Sequence, residues 1–183
     1  MTSPTPQTRT GSVAILNQAT IFVGLLGLSF LIPAIIHQQA VTGPIINAIL
    51  LFAGQFLNPS SAMLIGMLPS TVALSRGLLP LPLAPMVPFI IMANSLYIYI
   101  FSRVMSRDLK WATRFPVKFG AAVVLASLAK FGLLYSSSNL VLNQLLPTKL
   151  VPQVSQMMSW PQLATALVGG LIAWIGLKVI NHR

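Results

Sequence analysis

Residues 117–135 read Val-Lys-Phe-Gly-Ala-Ala-Val-Val-Leu-Ala-Ser-Leu-Ala-Lys-Phe-Gly-Leu-Leu-Tyr, an apolar segment long enough to cross a bilayer as a helix. Its second lysine, Lys130, lies well inside the segment. An ammonium at that depth costs about 2.5–3.5 kcal/mol on insertion scales, so its presence needs a physical reason. The only acid of the chain, Asp108, lies in a basic loop and not in an apolar segment. Lys130 therefore either extends to the membrane surface or meets an anionic or hydrogen-bonding partner.

The composition is that of an integral membrane protein. Of 183 residues, 55% are hydrophobic and 7% are charged, whereas a soluble domain has about 25% charged residues. The net charge of +10 comes from basic residues clustered between apolar segments. This pattern fits the excess of Lys and Arg in cytoplasmic loops better than nucleic-acid binding.

Six apolar segments predict an all-α bundle of about six transmembrane helices, since lipid does not tolerate open strand edges. The second and third segments, of 15 residues each, are short for a full crossing and form either short spans or a re-entrant pair. We expect a disordered polar N-terminus over residues 1–11 and one transmembrane helical domain over residues 12–183. The segments are 12–36, 43–57, 61–75, 84–101, 117–135 and 161–180.

The basic residues predict the orientation. With six spans, eight of them fall on one side of the membrane, while Arg76 and Lys149 fall on the other. The positive-inside rule then places both termini in the cytoplasm of a multi-pass plasma-membrane protein. The eight are Arg9, Arg103, Arg107, Lys110, Arg114, Lys118, Lys178 and Arg183.

Lys130 shares a helix face with Ala122 and Ala126, because the three are spaced four apart. Small residues mark contacts between membrane helices, so Lys130 is expected to point into the bundle. It lies about 21 Å along the helix from Pro116, in the outer half. Its function is either to bind a small polar ligand, or to reach the outer interface or cap carbonyls of a neighbouring helix.

Four further polar residues are candidates for the same site. Asn94 and Tyr97 share a face of the fourth helix, and Asn47 lies in the outer part of the second. Such groups either bond a neighbouring helix or form a polar patch with Lys130. Arg76 ends the third segment and is either a headgroup anchor or an anion contact at the mouth of a pocket.

Two helices carry stripes of small residues, spaced for close helix approach. The stripes pack either within the monomer or against a partner subunit. On the first helix the stripe is Asn17, Thr20, Gly24 and Gly27, and on the last it is Ala166, Gly169, Ala173 and Gly176.

Several classes of chemistry find no support. The chain has no cysteine, and His37 and His182 lie far apart, so no metal site is expected. There is no phosphate-binding loop, no intramembrane carboxylate and no Ser–His–Asp set. A Ser–Lys dyad of Lys130 with Ser127 or Ser136 is the one enzymatic arrangement that the sequence offers, and we expect no enzyme. No cofactor is expected either.

Three stretches resemble the substrate-binding S components of prokaryotic energy-coupling factor (ECF) transporters. They are residues 42–51 (Thr-Gly-Pro-Ile-Ile-Asn-Ala-Ile-Leu-Leu), Gly66 with the proline-rich residues 78–89, and residues 159–170 (Ser-Trp-Pro-Gln-Leu-Ala-Thr-Ala-Leu-Val-Gly-Gly). The resemblance implies a six-helix bundle that binds a vitamin or similar nutrient from outside. It also implies partners, namely a transmembrane coupling subunit and two ATPases.

In many S components an alanine-x-x-x-alanine motif on the first helix docks the coupling subunit. The first helix of this sequence lacks that motif, and Thr20-x-x-x-Gly24 with the following Gly27 is its nearest equivalent there. The alternative is an accessory or structural subunit of another membrane complex, in which the polar residues bond only to each other.

Overall fold

The chain forms a helical bundle in a computed structural model that describes residues 6–36, 38–77, 81–105, 116–145 and 151–181. Within these ranges there is no β-strand. The helices are α1 (Pro6–Ile35), α2 (Gln39–Phe56), α3 (Pro59–Ser75), a 3₁₀ helix (Leu81–Met86), α4 (Val87–Val104), α5 (Pro116–Leu145), α6 (Val151–Met157) and α7 (Trp160–Asn181). The predicted all-α class is confirmed.

Four helical segments are long and apolar enough to cross a membrane: Asn17–Ile35, Leu83–Val104, Pro116–Asn139 and Val154–Asn181. The remaining long helices are shorter, as predicted. α2 has 18 residues and α3 has 17, which correspond to about 27 and 26 Å. Their connection is as tight as the sequence suggests, because the Asn58 side chain caps α3 by accepting a hydrogen bond from the Ser61 N–H at 2.9 Å.

Several boundaries differ from the prediction. α1 begins at Pro6, so residues 6–11 are helical although the sequence suggests disorder over 1–11; residues 1–5 lie outside the described ranges. α5 continues to Leu145, ten residues past Tyr135. In this polar continuation the Ser138 hydroxyl and the Asn139 amide both donate to the Tyr135 carbonyl, at 2.9 Å each.

The four prolines from Pro80 to Pro88 predict a stiff, non-helical connector, but the structure is helical from Leu81 onward. Leu81–Met86 forms a 3₁₀ helix that leads directly into α4, with Pro88 in its first turn. The fixed φ of proline suits both a 3₁₀ turn and the start of an α-helix, which the prediction overlooked.

α2 lies at the centre of the bundle and packs against α1, α3, α4 and α7. It runs parallel to α7, since contacts step together along both helices. A Cβ on Gly43 would approach Thr165, one on Gly169 would approach Asn47, and one on Gly176 would approach Phe52. Parallel second and sixth long helices agree with six alternating spans.

Two apolar clusters form the interior. The larger lies among α2, α4, α5 and α7 and includes Leu50, Ile98 and Phe101. The smaller joins the 3₁₀ helix and α6 to the neighbouring ends of α4 and α5; its buried members are Leu83, Met86, Ala93, Leu134, Val154 and Met158. Polar side chains lie at the boundary between these two clusters.

Candidate functional site

Lys130 points into the bundle, as its helical spacing predicts. Ala122 and Ala126 on the same face of α5 are fully buried, and Lys130 itself is 4% exposed. Small side chains at 122 and 126 let α5 approach its neighbours closely, which encloses the lysine stem. Lys130 therefore does not reach the surface.

The ammonium bonds to the central helix. Lys130 Nζ donates to Asn47 Oδ1 at 2.6 Å. Asn47 Nδ2 donates in turn to Thr165 Oγ1 at 3.4 Å, and the Thr165 hydroxyl donates to the Gln162 carbonyl at 3.1 Å. These bonds link α5, α2 and α7 in one chain of side chains.

Tyr97 of α4 completes the group. Lys130 Nζ lies 5.2 Å from the centroid of its ring, within the range of a cation–π contact. The Tyr97 hydroxyl donates to the Ala166 carbonyl of α7 at 3.1 Å. We call Lys130, Asn47, Tyr97 and Thr165 the Lys130 cluster; it draws one side chain from each of four helices.

The two remaining predicted residues lie apart from this cluster. Asn94, one turn before Tyr97 on α4, donates to the Gly66 carbonyl of α3 at 3.0 Å and is 3% exposed. Arg76 is exposed at the end of α3, where Gly77 with φ +69° terminates the helix. No contact in the described part of the chain brings the Arg76 side chain to the Lys130 cluster.

Thr165 was not among the predicted site residues. It lies one turn before Gly169 and hence on the small-residue face of α7. A Cβ on Gly43 would lie 2.9 Å from Thr165 Cγ2, so α2 and α7 approach closely at this level. Its spacing of four from Gly169 places it on that face, but the sequence does not show that Asn47 lies opposite it.

The Lys130 cluster has more hydrogen-bond donors than acceptors. An ammonium has three N–H groups, and among the described residues only Asn47 accepts from it. No carboxylate lies in the described ranges, because Asp108 is the sole acid and falls outside them. The geometry thus presents a buried cation with unused N–H groups, beside an aromatic face, to an acceptor that these residues do not provide.

Ser127 adds a further polar group without forming a dyad. Its hydroxyl lies close to Tyr97 on the adjoining helix, yet it is buried and makes no hydrogen bond of standard geometry within the described ranges. It does not bond to Lys130. Those ranges also contain no group of three potential metal-ligating side chains.

The smaller apolar cluster lies next to the Lys130 cluster. Leu134 is one turn beyond Lys130 on α5, and Ala93 is one turn before Tyr97 on α4. Both positions lie toward the same end of the bundle, which the predicted orientation assigns to the outside. Leu83 and Met86 of the 3₁₀ helix, Val154 of α6 and Met158 just after α6 pack in one cluster with these two residues, so both short helices lie at that end of the bundle.

The two small-residue stripes have different surroundings. On α7, Gly169 packs against α2, where an added Cβ would lie 2.5 Å from Asn47 Cβ. On α1, Thr20 and Gly24 are exposed and Gly27 is half-buried. A Cβ on Gly24 or Gly27 would have no neighbour within 4 Å. The α7 stripe is therefore an internal contact, whereas the α1 stripe faces outward.

The sequence matches no protein-family model, and neither a curated protein nor a solved structure matches it.

Proposed function

We propose that this protein is the substrate-binding S component of an ECF-type importer in the plasma membrane, which captures a small nutrient from outside for ATP-driven uptake by partner subunits. The observation that carries the proposal is the Lys130 ammonium, buried among four helices with N–H groups that the described side chains leave without acceptors. A buried cation is costly and is retained where it has a use.

The chemistry of the cluster restricts the ligand. A ligand that fits it carries an anionic group or a strong acceptor for the Lys130 N–H groups and a planar or apolar part that packs against the Tyr97 ring. Vitamin-like compounds and their precursors often combine a carboxylate or carbonyl with a ring. On this proposal Asn47 and Asn94 hold the flanking helices, and Arg76 meets anions at the outer rim.

The partners on this proposal are a coupling subunit and two ATPases. The outward stripe of α1 supports the proposal, because Gly24 and Gly27 leave space for close approach by another helix. The chain has no phosphate-binding loop of its own, so the ATPases must supply the energy. It has no proposed enzymatic role.

A second candidate is an accessory or structural subunit of another membrane complex. The observation that favours it is that Asn47, Asn94, Tyr97 and Thr165 all bond to neighbouring helices. In that case the Lys130 cluster only fixes helix packing, and no small molecule binds to it.

Native mass spectrometry of the purified protein, followed by thermal unfolding with the copurified molecule, distinguishes the two candidates. For an S component we expect Lys130→Met to fold but to bind that molecule roughly thirtyfold more weakly, through loss of a charge-assisted hydrogen bond of about 2 kcal/mol. Lys118→Met, on the exposed start of α5, is the matched control and keeps wild-type binding. Equal ligand-induced stabilisation in Lys130→Met and wild type would contradict the proposal.

Affinity purification from native membranes tests the partners. Gly24→Leu and Gly27→Leu should reduce recovery of a coupling subunit, because each fills space on the outward face of α1. Gly132→Leu is the matched control, since a Cβ there also has no neighbour within 4 Å but lies on α5. Absence of any coupling subunit or ATPase, with no bound small molecule, favours the structural subunit.

A further inference from the structure

An apolar groove lies between α5 and α7 on the surface of the bundle. Its volume is 320 Å³, at the lower end of the range for small-molecule sites. The walls include Phe119 and Val123 from α5 and Leu167 and Trp174 from α7. None of the lining residues belongs to the Lys130 cluster, and those of α5 precede Lys130 by about two turns or more, so the groove is a separate feature.

Two glycines line the groove. Gly120 lies in its wall, and a Cβ added there would have no neighbour within 4 Å. Gly170 also lies in the wall, but there a Cβ would collide with Val123. Position 120 therefore borders open space that a larger side chain would occupy, while position 170 is already closely packed.

The end of the groove nearer the termini carries a cation and an unpartnered donor. Lys178, one turn beyond Trp174, is exposed, and its Nζ lies 5.0 Å from the Trp174 ring centroid. The Trp174 Nε1–H is buried and has no acceptor among the described residues. An apolar groove thus ends beside an exposed ammonium, the order of chemistry found along an anionic phospholipid from tail to headgroup.

We propose that this groove binds an anionic phospholipid of the leaflet that the chain termini face. Its acyl chain lies along Gly120 and Val123, and its phosphate contacts Lys178. Basic positions at the ends of grooves between membrane helices are a recurring type of lipid headgroup site. A transmembrane helix of a partner fits less well, because its apolar side chains would leave the Lys178 ammonium without an anion. The inference does not depend on the transport function.

Quenching of Trp174 fluorescence by brominated lipids tests the proposal. The protein is purified with Trp111→Phe and Trp160→Phe, so that Trp174 is the only tryptophan, and is reconstituted into phosphatidylcholine vesicles. Brominated phosphatidylglycerol or brominated phosphatidylcholine is then titrated in. We expect the apparent association constant to be about fivefold higher for phosphatidylglycerol, the effect of one basic residue near the surface.

Two variants assign that preference to the groove. Lys178→Met should remove the preference for phosphatidylglycerol and leave quenching by phosphatidylcholine. Gly120→Leu should fill the groove and reduce quenching by both lipids, whereas Gly132→Leu, also an open position on α5, should behave as wild type. Circular dichroism first establishes that each variant keeps its helical content.

Three results would overturn the proposal. Equal quenching by the two brominated lipids in wild type means that Trp174 meets bulk lipid only. An unchanged preference in Lys178→Met removes the headgroup contact. Absence of quenching, together with a dimer in light scattering, means that a second copy of the chain covers the groove.

Discussion

A lysine ammonium enclosed among helices loses its hydration, and one bond to an amide does not replace it. Lys130 reduces this deficit with a short bond to Asn47 and with the Tyr97 ring. Asn47 in turn depends on Lys130 for a donor to its carbonyl oxygen. The two residues should therefore be energetically coupled.

A double-mutant cycle of Lys130→Met and Asn47→Ala measures that coupling. Asn47→Ala should destabilise the protein more than Lys130→Met does, because it leaves a buried ammonium without an acceptor, whereas Lys130→Met removes the costly charge. We expect a coupling of about 1–2 kcal/mol by thermal or denaturant unfolding in detergent, above the average of about 0.6 kcal/mol for hydrogen bonds between membrane helices.

Ser29→Ala is the control for this cycle. The Ser29 hydroxyl bonds only within α1, to the Leu26 carbonyl, so its effect should add to that of Lys130→Met. A Lys130–Asn47 coupling no larger than the Lys130–Ser29 value would mean that the observed bond contributes nothing to stability.

At the residue scale the sequence predicted three members of the Lys130 cluster, but it did not place Arg76 relative to that cluster. Helical spacing was enough to place Lys130 inside the bundle. Asn47 and Tyr97 were candidates for the same site because they are polar side chains in otherwise apolar helices. Thr165 was missed because a threonine in an apolar helix gives no signal until its neighbour across the interface is known. α3 ends at Ser75 as predicted, but spacing along one helix does not show how far Arg76 lies from Lys130 on another helix.

Among the elements, the glycines of α1 and α7 look alike in sequence and differ in the fold. Steps of three and four allow close packing on both helices, but only α7 has α2 against its stripe. Sequence spacing predicts which face of a helix carries only small side chains, and the tertiary arrangement decides whether another helix packs against that face. The outward stripe is the one left for a partner.

Alanine substitutions should separate the two stripes. Gly169→Ala should destabilise the protein by about 1–3 kcal/mol, because its Cβ would lie 2.5 Å from Asn47 Cβ and 2.8 Å from the Pro44 carbonyl oxygen. Gly24→Ala should be neutral or stabilise α1 by up to about 1 kcal/mol, the difference in helix propensity. Melting temperatures of the purified variants measure both; similar losses at the two positions would contradict an open α1 face.

Helix ends were the least predictable feature of the elements. Apolar runs locate membrane segments, but α5 continues through the polar residues 136–139 to Leu145. The proline-rich connector forms a 3₁₀ helix, with which the fixed φ of proline is compatible. Hydropathy records neither backbone geometry nor the continuation of a helix beyond its apolar part, so it misplaces both of these helix ends.

At the scale of the whole molecule, the six long helices agree with the six apolar segments of the sequence. The parallel run of α2 and α7 also fits six alternating spans. The sides of the membrane rest on the distribution of basic residues, eight against two. That distribution predicts both termini in the cytoplasm.

Cysteine labelling tests this orientation directly, since the chain has no native cysteine. Single cysteines replace Thr5, Gln39, Arg107 and Lys149, and whole cells are treated with a membrane-impermeant thiol reagent. We expect labelling at positions 39 and 149 only, with all four labelled after permeabilisation as the control. Labelling at position 107 but not at position 149 would contradict the predicted orientation and indicate the opposite one.

The central place of α2 has a consequence for the order of synthesis. Asn47 is bound by Lys130, 83 residues later, and by Thr165, 118 residues later. At about 5–20 residues per second, Thr165 is made roughly 6–24 s after Asn47. During that interval the face of α2 that will meet α7 has no partner from its own chain. Packing of this bundle can therefore be completed only after the last helix has been synthesised. In a chain stalled before residue 160, Asn47 on α2 has no Thr165 to bond and stays accessible to the insertion machinery.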